Sequence, residues 1–248
     1  MKRLMSLMGL GMALAWTTPV SAAPDPTEEL KTLDVALNRW KDQIFSYEMI
    51  DTQPGKSDRK LALDVYMKGE KRVTAFTAPA DVKGTRILIL SETQMYVYLP
   101  AYKKVRRIAS HMTAQGFMGT AYSQDDLAIT TYADKYSAKT LKAGEGTLKV
   151  ELLVKPGNDV AYPKIHMTID TKRHLPTELT YFDDKGTKLK TETRTDYKCE
   201  GDICVPYTMK MQDHTSPGHE TRLVTKNWTL NSNIKDRVFS RRYLQRGR

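Results

Sequence analysis

The sequence predicts a mainly β protein of the α+β kind: one antiparallel sheet of about eleven strands, strongly curved, with a single amphipathic helix in front of it. Three observations carry this. From Phe45 almost to the end, apolar residues recur with period two in short runs separated by turn residues. No helical pattern long enough for a parallel crossover lies between those runs. One segment before them has helical spacing instead. A sheet of so many strands must curl, and a curled sheet has a concave side that a helix can cover without filling, which leaves a groove.

The helix is read from Leu30, Leu33, Leu37, Trp40 and Ile44, spaced 3, 4, 3, 4 on one apolar face. Thr27 is placed as its N-cap, with Glu28 and Glu29 in the first turn, where the helix dipole favours acids. Leu61, Leu63, Val65 and Met67 alternate along a strand that turns at Lys68-Gly69-Glu70-Lys71 into Arg72 to Ala78. Thr85 to Leu90 and Met95 to Leu99 form the next pair, and Tyr102 to Ile108 returns beside them. Tyr136 to Ala143, Thr147 to Val154, Lys164 to Asp170 and Glu178 to Phe182 continue the alternation, with turns at Gly144-Glu145-Gly146 and Asp183-Asp184-Lys185-Gly186. Lys188 to Tyr197 then pairs with Val205 to Met211, and Glu220 to Leu230 closes the sheet.

Residues 1–22 read as a secretory signal peptide: Lys2 and Arg3 precede the apolar run Leu4 to Trp16, which ends near Ala22 and Ala23. Cleavage after either alanine is readable, and Ala22 is favoured because Pro24 would otherwise follow the scissile bond. The apolar run is too short to span a bilayer comfortably. Residues 23–248 show no internal repeat or linker and are expected to form a single domain. Without Lys2 and Arg3 the formal charge falls by two from +10, and a basic exported protein meets anionic lipid, polysaccharide or acidic protein rather than nucleic acid. Cys199 and Cys204 flank Glu200-Gly201-Asp202-Ile203, a turn-forming sequence, so they are expected to bridge a hairpin in an oxidising compartment. A metal or redox pair is the rival reading; the spacing is not Cys-x-x-Cys.

Catalytic signatures are absent from the sequence: no Gly-x-Ser-x-Gly, no His-Glu-x-x-His, no phosphate-binding Gly loop. No cofactor and no enzymatic activity are expected. His214 and His219, flanked by Asp213 and Glu220, could form a metal site, against the plainer reading of solvated loop residues. Asp125 and Asp126 are read as helix-start acids. The Asn227-Trp228-Thr229 sequon falls in a strand and is set aside.

What remains is apolar and adaptable. Met67, Met167, Met209 and Met211 each sit at an alternating strand position beside Leu63, Val65, Ile165 or Val205, so they share a sheet face. Methionine suits surfaces that must fit more than one shape, although ordinary core would look the same. Lys103, Lys104, Arg106 and Arg107 form a basic run that is either solubilising or a contact for lipid headgroups or an acidic partner.

The stretch from Tyr98 to Leu127 departs most from hairpin sequence. Leu99-Pro100-Ala101-Tyr102-Lys103-Lys104-Val105-Arg106-Arg107-Ile108, then Phe117-Met118-Gly119-Thr120, then Tyr122-Ser123-Gln124-Asp125-Asp126-Leu127, together with the closing Phe239-Ser240-Arg241-Arg242-Tyr243-Leu244, resembles the outer membrane lipoprotein-sorting proteins, relatives of the LolA carrier. The resemblance implies an incomplete antiparallel β-barrel with short lid helices over an apolar cavity. It implies a periplasmic carrier of lipids or lipoprotein acyl chains, acting as a monomer, with an inner-membrane transporter of the RND or ATP-driven type as a partner. The alternative is an accessory protein that docks on such an exporter, its cavity merely structural. On this reading Trp40, Leu63, Val65, Met67, Met95, Val97, Met167, Met209 and Met211 line the cavity. Phe117 and Met118 form a lid hinged at Gly116 and Gly119, so Phe117→Asp is expected to cost binding far more than stability. A one-residue register error would turn every lining residue outward.

Overall fold

The computed structural model describes residues 24–91, 93–109, 116–129 and 131–247. The expected signal peptide and His111 lie outside these residues. Helix α1 spans Pro26–Leu37. Its N-cap is Asp25, not Thr27: the Asp25 carboxylate accepts from the backbone N–H groups of Thr27 (2.9 Å) and Glu28 (3.0 Å). Pro26 explains the shift, because its fixed φ and missing N–H suit the first helical position and move the cap one residue upstream of it. The apolar spacing overran the helix end. Asn38 caps the last turn, the Trp40 indole N–H donates to Leu37 O (2.7 Å), and Ile44 already lies on a strand.

Among the described residues, thirteen strands form one antiparallel sheet. They are β1 (Gln43–Thr52), β2 (Arg59–Lys68), β3 (Lys71–Ala78), β4 (Arg86–Ser91), β5 (Gln94–Leu99), β6 (Lys104–Arg107), β7 (Tyr136–Gly144), β8 (Thr147–Val154), β9 (Lys164–Asp170), β10 (Leu175–Phe182), β11 (Lys188–Glu200), β12 (Ile203–Asp213) and β13 (His219–Leu230). The strand absent from the expected segments is β1, which precedes the first expected hairpin. The spatial order is β6-β5-β4-β3-β2-β1-β13-β12-β11-β10-β9-β8-β7. The chain therefore meanders outward from the centre to β6, crosses to the opposite edge, and meanders back until β13 pairs with β1. Strands β6 and β7 are unjoined edges, so the curved sheet is an incomplete barrel.

The two faces are covered differently. Phe45, Tyr47 and Met49 of β1, with Leu61 and Leu63 of β2, belong to the principal apolar cluster on the concave side. Leu148, Val150 and Leu152 of β8 and Ile165, Met167 and Ile169 of β9 extend it across the other half. A second cluster contains Val73, Leu88, Ile234, Phe239 and Leu244. Here the C-terminal segment, with a 3₁₀ turn at Asp236–Phe239 and helix α3 at Arg241–Arg246, packs on the outer face of β3 to β6. That second layer explains why Ile87, Leu88 and Ile89 form an unbroken apolar run in β4: the strand is buried on both sides.

Helix α1 packs against β7 and β10 on the concave side. Asp34 fixes it there, accepting from the N–H groups of Tyr132 (2.9 Å) and Ala133 (2.7 Å), and Glu29 pairs with His174 Nδ1 (2.9 Å). The Cys199–Cys204 disulfide joins register partners at the end of the β11–β12 hairpin, as the spacing predicted. Replacing both cysteines by serine is expected to lower stability by about 2 kcal/mol. Urea denaturation checks this, and an unchanged midpoint would mean that the bridge constrains nothing in the unfolded chain.

Asp170 organises the β9–β10 turn. Burial works against its charge, but the N–H groups of Arg173 and Lys172 and the Arg173 side chain outweigh burial and hold its carboxyl below the ordinary 3.8. Asp213 is held down in the same way by the Thr215 hydroxyl and N–H, with His219 and Lys190 nearby. A lowered folded pKa stabilises the fold above the unfolded value, and the gain is lost as pH falls through the folded one. Urea midpoints are therefore expected to hold steady down to about pH 4 and to decline below it, and equal midpoints at pH 5 and pH 3 would contradict this.

Candidate functional site

Because β6 and β7 are opposite edges, the connection between them must cross the open side of the sheet. Its described parts lie over the concave face. A 3₁₀ turn at Phe117–Gly119 and helix α2 at Gln124–Ala128 lie on this crossing. Ser123 and Asp126 form a capping box, Ser123 Oγ accepting from Asp126 N–H (3.2 Å) and Asp126 Oδ2 from Ser123 N–H (2.6 Å). Between the crossing and the sheet lies a cavity of about 210 Å³. Its apolar wall comes from Phe45, Tyr47 and Met49 on β1, Leu63, Val65 and Met67 on β2, Val205 and Met209 on β12, and Leu223 on β13. Leu37 and Trp40 close the end by α1, and Phe117, Tyr122, Leu127, Ile129 and Tyr132 form the roof.

The roof is fastened by polar side chains that reach its backbone. Arg59 donates to Met118 O (2.9 Å), Gln53 to Gly119 O (3.0 Å), and Thr221 Oγ1 accepts from Ala121 N–H (2.8 Å). Met118 and Gly119 both have positive φ, 55° and 82°. A methionine there is strained, so these bonds and the seating of Phe117 hold the turn. Gly116 contributes differently from an expected hinge. Its φ is negative, and a Cβ would stand 2.7 Å from Thr120 O, so the glycine permits a close backbone approach.

One part of the cavity is polar. Arg194 and Glu192, two residues apart on β11, share a face, and Arg194 Nε and Nη2 each stand 3.0 Å from a Glu192 oxygen. The Tyr181 hydroxyl donates to the same carboxylate (3.1 Å). Arg72 also lines the cavity from β3. Burial pushes its guanidinium down to about 10, with Tyr47, Glu70 and Tyr132 acting in the opposite direction. Burial likewise pushes the Tyr132 phenol up to about 12 and the Tyr47 and Tyr122 phenols above their ordinary range. Asp126 is fully engaged, by Lys190 (2.7 Å), Tyr162 (2.6 Å) and Ser123 N–H.

The residues expected to line the cavity separate into two groups. Trp40, Leu63, Val65, Met67 and Met209 form part of its wall, and Phe117 part of its roof. Met95, Met167 and Met211 are fully buried in the principal cluster, and Val97 and Met118 pack against that cluster, all outside the cavity wall. Phe117 is only 1% exposed and its ring lies 5.5 Å from that of Phe76. Lys103, Lys104, Arg106 and Arg107 are exposed at the β6 edge. Lys103 precedes the strand in a left-handed conformation and is not on it. Arg241, Arg242 and Arg246 of α3 extend the same basic surface beside Arg107.

Arg72, Glu192 and Arg194 were missed by sequence reading. An alternating strand with charges at these positions looks as though it faces water, and the one available signal was that Glu192 and Arg194 share a parity. The metal reading fails on geometry. His214 bonds Thr191 (2.9 Å), whereas His219 is enclosed and bonds Asp51 (2.9 Å), so it is no solvated loop residue. Among the described residues no group of three His, Cys, Asp or Glu side chains could hold a metal ion.

A family model described as "Uncharacterized protein"-like matches residues 68–246. No curated protein matches the sequence. Among solved structures, a domain from Vibrio parahaemolyticus described as an outer membrane lipoprotein-sorting protein domain is 27% identical and superposes with a TM-score of 0.80, covering 89% of this chain and 98% of that one. A DUF1329 family protein from Desulfovibrio piger gives 22% identity and a TM-score of 0.80, over 89% and 100% of the two chains. A LolA superfamily protein from Nitrosomonas europaea gives 17% and 0.73, again over 89% and 100%. The chain thus belongs to the family whose model spans residues 68–246, and its half-barrel with a roofed cavity is the fold of the LolA-like, outer membrane lipoprotein-sorting proteins.

Proposed function

We propose that this protein is a periplasmic carrier that holds an acyl chain of a lipid or lipoprotein in the roofed cavity and transfers it across the cell envelope. The observation that carries the reading is the cavity itself: apolar, Met-containing walls under a roof tied down by a few side-chain bonds to backbone carbonyls. Exposing an acyl chain to water costs about 0.8 kcal/mol per methylene, so transfer between membranes needs a protein surface that replaces the bilayer. No catalysis is needed for that. The similarity to a domain described as lipoprotein-sorting supports the same reading. Residues 1–22 would direct export and be removed near Ala22, leaving residues 23–248 as a single monomeric domain, and the disulfide suits an oxidising compartment.

The test is binding of a fluorescent acyl probe to the purified protein, together with native mass spectrometry of protein isolated from membranes. Saturable binding and a co-purifying lipid are expected, and the lack of both would defeat the carrier reading.

The basic surface of β6 and α3 favours a second role alongside the first. Lys103, Lys104, Arg106 and Arg107 form no ion pair with a described carboxylate, and α3 adds three arginines beside them. This surface would meet anionic headgroups or an acidic face of an RND-type or ATP-driven inner-membrane transporter. Charge reversal at the four β6-edge residues is expected to abolish partner capture and leave acyl-probe binding intact; loss of neither would remove this role.

A further inference from the structure

The cavity walls carry four ionisable groups of opposite signs, and three of them are matched. Glu192 and Arg194 neutralise each other, and Asp126 is paired with Lys190. Arg72 is the exception. Its register partners on the neighbouring strands are Met67 and Ile89, both apolar members of the cavity wall, so no carboxylate stands across from it on either side. Its hydrogen bond is to Glu70 O at 3.5 Å, a length at which little is gained. The Glu70 carboxylate acts on its charge without forming an ion pair with it among the described residues, and a cation held so loosely among apolar side chains is costly to the fold.

A second group at the site is also unmatched. The Tyr122 hydroxyl, on the roof, is buried and has no hydrogen-bond partner among the described residues. Buried hydroxyls without partners are rare in native proteins. Tyr47 and Tyr132, which line the same cavity, both act electrostatically on Arg72, and Tyr122 is acted on by Glu192, Arg194 and Asp126 and, less strongly, by Tyr47. One positive charge without an ion pair among the described residues and a set of phenolic hydroxyls therefore line a cavity whose other charged groups are already matched.

We propose that Arg72, with the hydroxyls of Tyr47, Tyr122 and Tyr132, is a seat for the anionic end group of an amphiphile whose aliphatic chain lies along the apolar wall. The cargo is then a chain bearing an anionic group at its end, a carboxylate or a phosphate ester, and not an acyl chain alone. The guanidinium offers a carboxylate or phosphate two parallel donors, and hydrogen bonds between charged groups are about twice as strong as neutral ones. This proposal rests on the carrier reading and narrows it.

The test is displacement of a fluorescent acyl probe by four ligands of equal chain length: hexadecanoate, hexadecyl phosphate, hexadecanol and hexadecyltrimethylammonium. For the unsubstituted protein, at least one anion is expected to displace the probe about tenfold more tightly than the alcohol, and the ammonium compound least well. Which anion is preferred separates the carboxylate from the phosphate source. Arg72→Gln should erase the gap between anion and alcohol. Tyr122→Phe should narrow the gap several-fold without lowering the thermal midpoint, because it removes a hydroxyl that has no partner among the described residues; it carries the test if Arg72→Gln fails to fold. Equal binding of alcohol and anions, or a gap that survives both substitutions, would overturn the seat and leave the carrier intact. If none of the four ligands binds and the probe does not either, the carrier reading falls with it.

Discussion

Glu192→Ala is expected to destabilise the protein by about 3 kcal/mol, measured as a shift in urea denaturation. The substituted residue makes two 3.0 Å contacts with the Arg194 guanidinium and accepts from Tyr181. The side chains of Glu192 and Arg194 are 5% and 18% exposed. Burial works against the Arg194 charge, and Glu192 outweighs it, with Tyr132 helping to hold the guanidinium protonated. Without the carboxylate, that cation stays in place with nothing to compensate it. Removing one partner of a buried pair costs roughly 3–5 kcal/mol, whereas replacing both by apolar groups of similar volume is often neutral. The double substitution Glu192→Leu with Arg194→Met should therefore recover most of the loss. A single-site loss under about 1 kcal/mol would mean that water in the cavity already screens the pair.

Phe117→Asp is expected to lower both stability and acyl-probe affinity, unlike the selective loss that the sequence suggested. The ring is 1% exposed, packs on Phe76 and forms part of the cavity roof, so it serves core and site together. Truncating a buried phenylalanine costs about 3–5 kcal/mol, and a carboxylate in its place adds a desolvation penalty. That added penalty is limited, because the roof can peel away once Arg59, Gln53 and Thr221 release its backbone. The expected result is a stability loss of about 3 kcal/mol, faster hydrogen exchange over residues 116–123, and probe binding weakened more than tenfold. Met118→Asp is the control, since Met118 lies outside the cavity wall and is only partly buried. If Phe117→Asp kept full stability and lost only binding, the roof would be a lid independent of the core.

Strand positions were legible because the period-two pattern is local, and Leu63, Val65, Met67 and Met209 stand on the concave face as that pattern implies. The helix end was less so. Apolar spacing carried straight from Leu37 through Trp40 to Ile44, and only the capping contacts at Asn38 and Trp40 show where the helix stops. Cavity membership was legible only in part. Met211 has the same parity as Met209 on its strand, yet Met211 and Met95 are fully buried in the principal cluster and lie outside the cavity wall.

The sequence by itself determined the mainly β class, the leading helix, the Cys199–Cys204 hairpin and the odd character of the Tyr98–Leu127 stretch, all of which depend on residues near one another in the chain. Tertiary structure alone decided that β1 and β13 meet in the middle of the sheet, that β6 and β7 become its edges, and that the stretch between those edges must roof the groove. It also decided that Arg72 faces apolar neighbours and Arg194 faces Glu192. A charge is costly or compensated according to what stands across from it, and that is set by strands far apart in sequence.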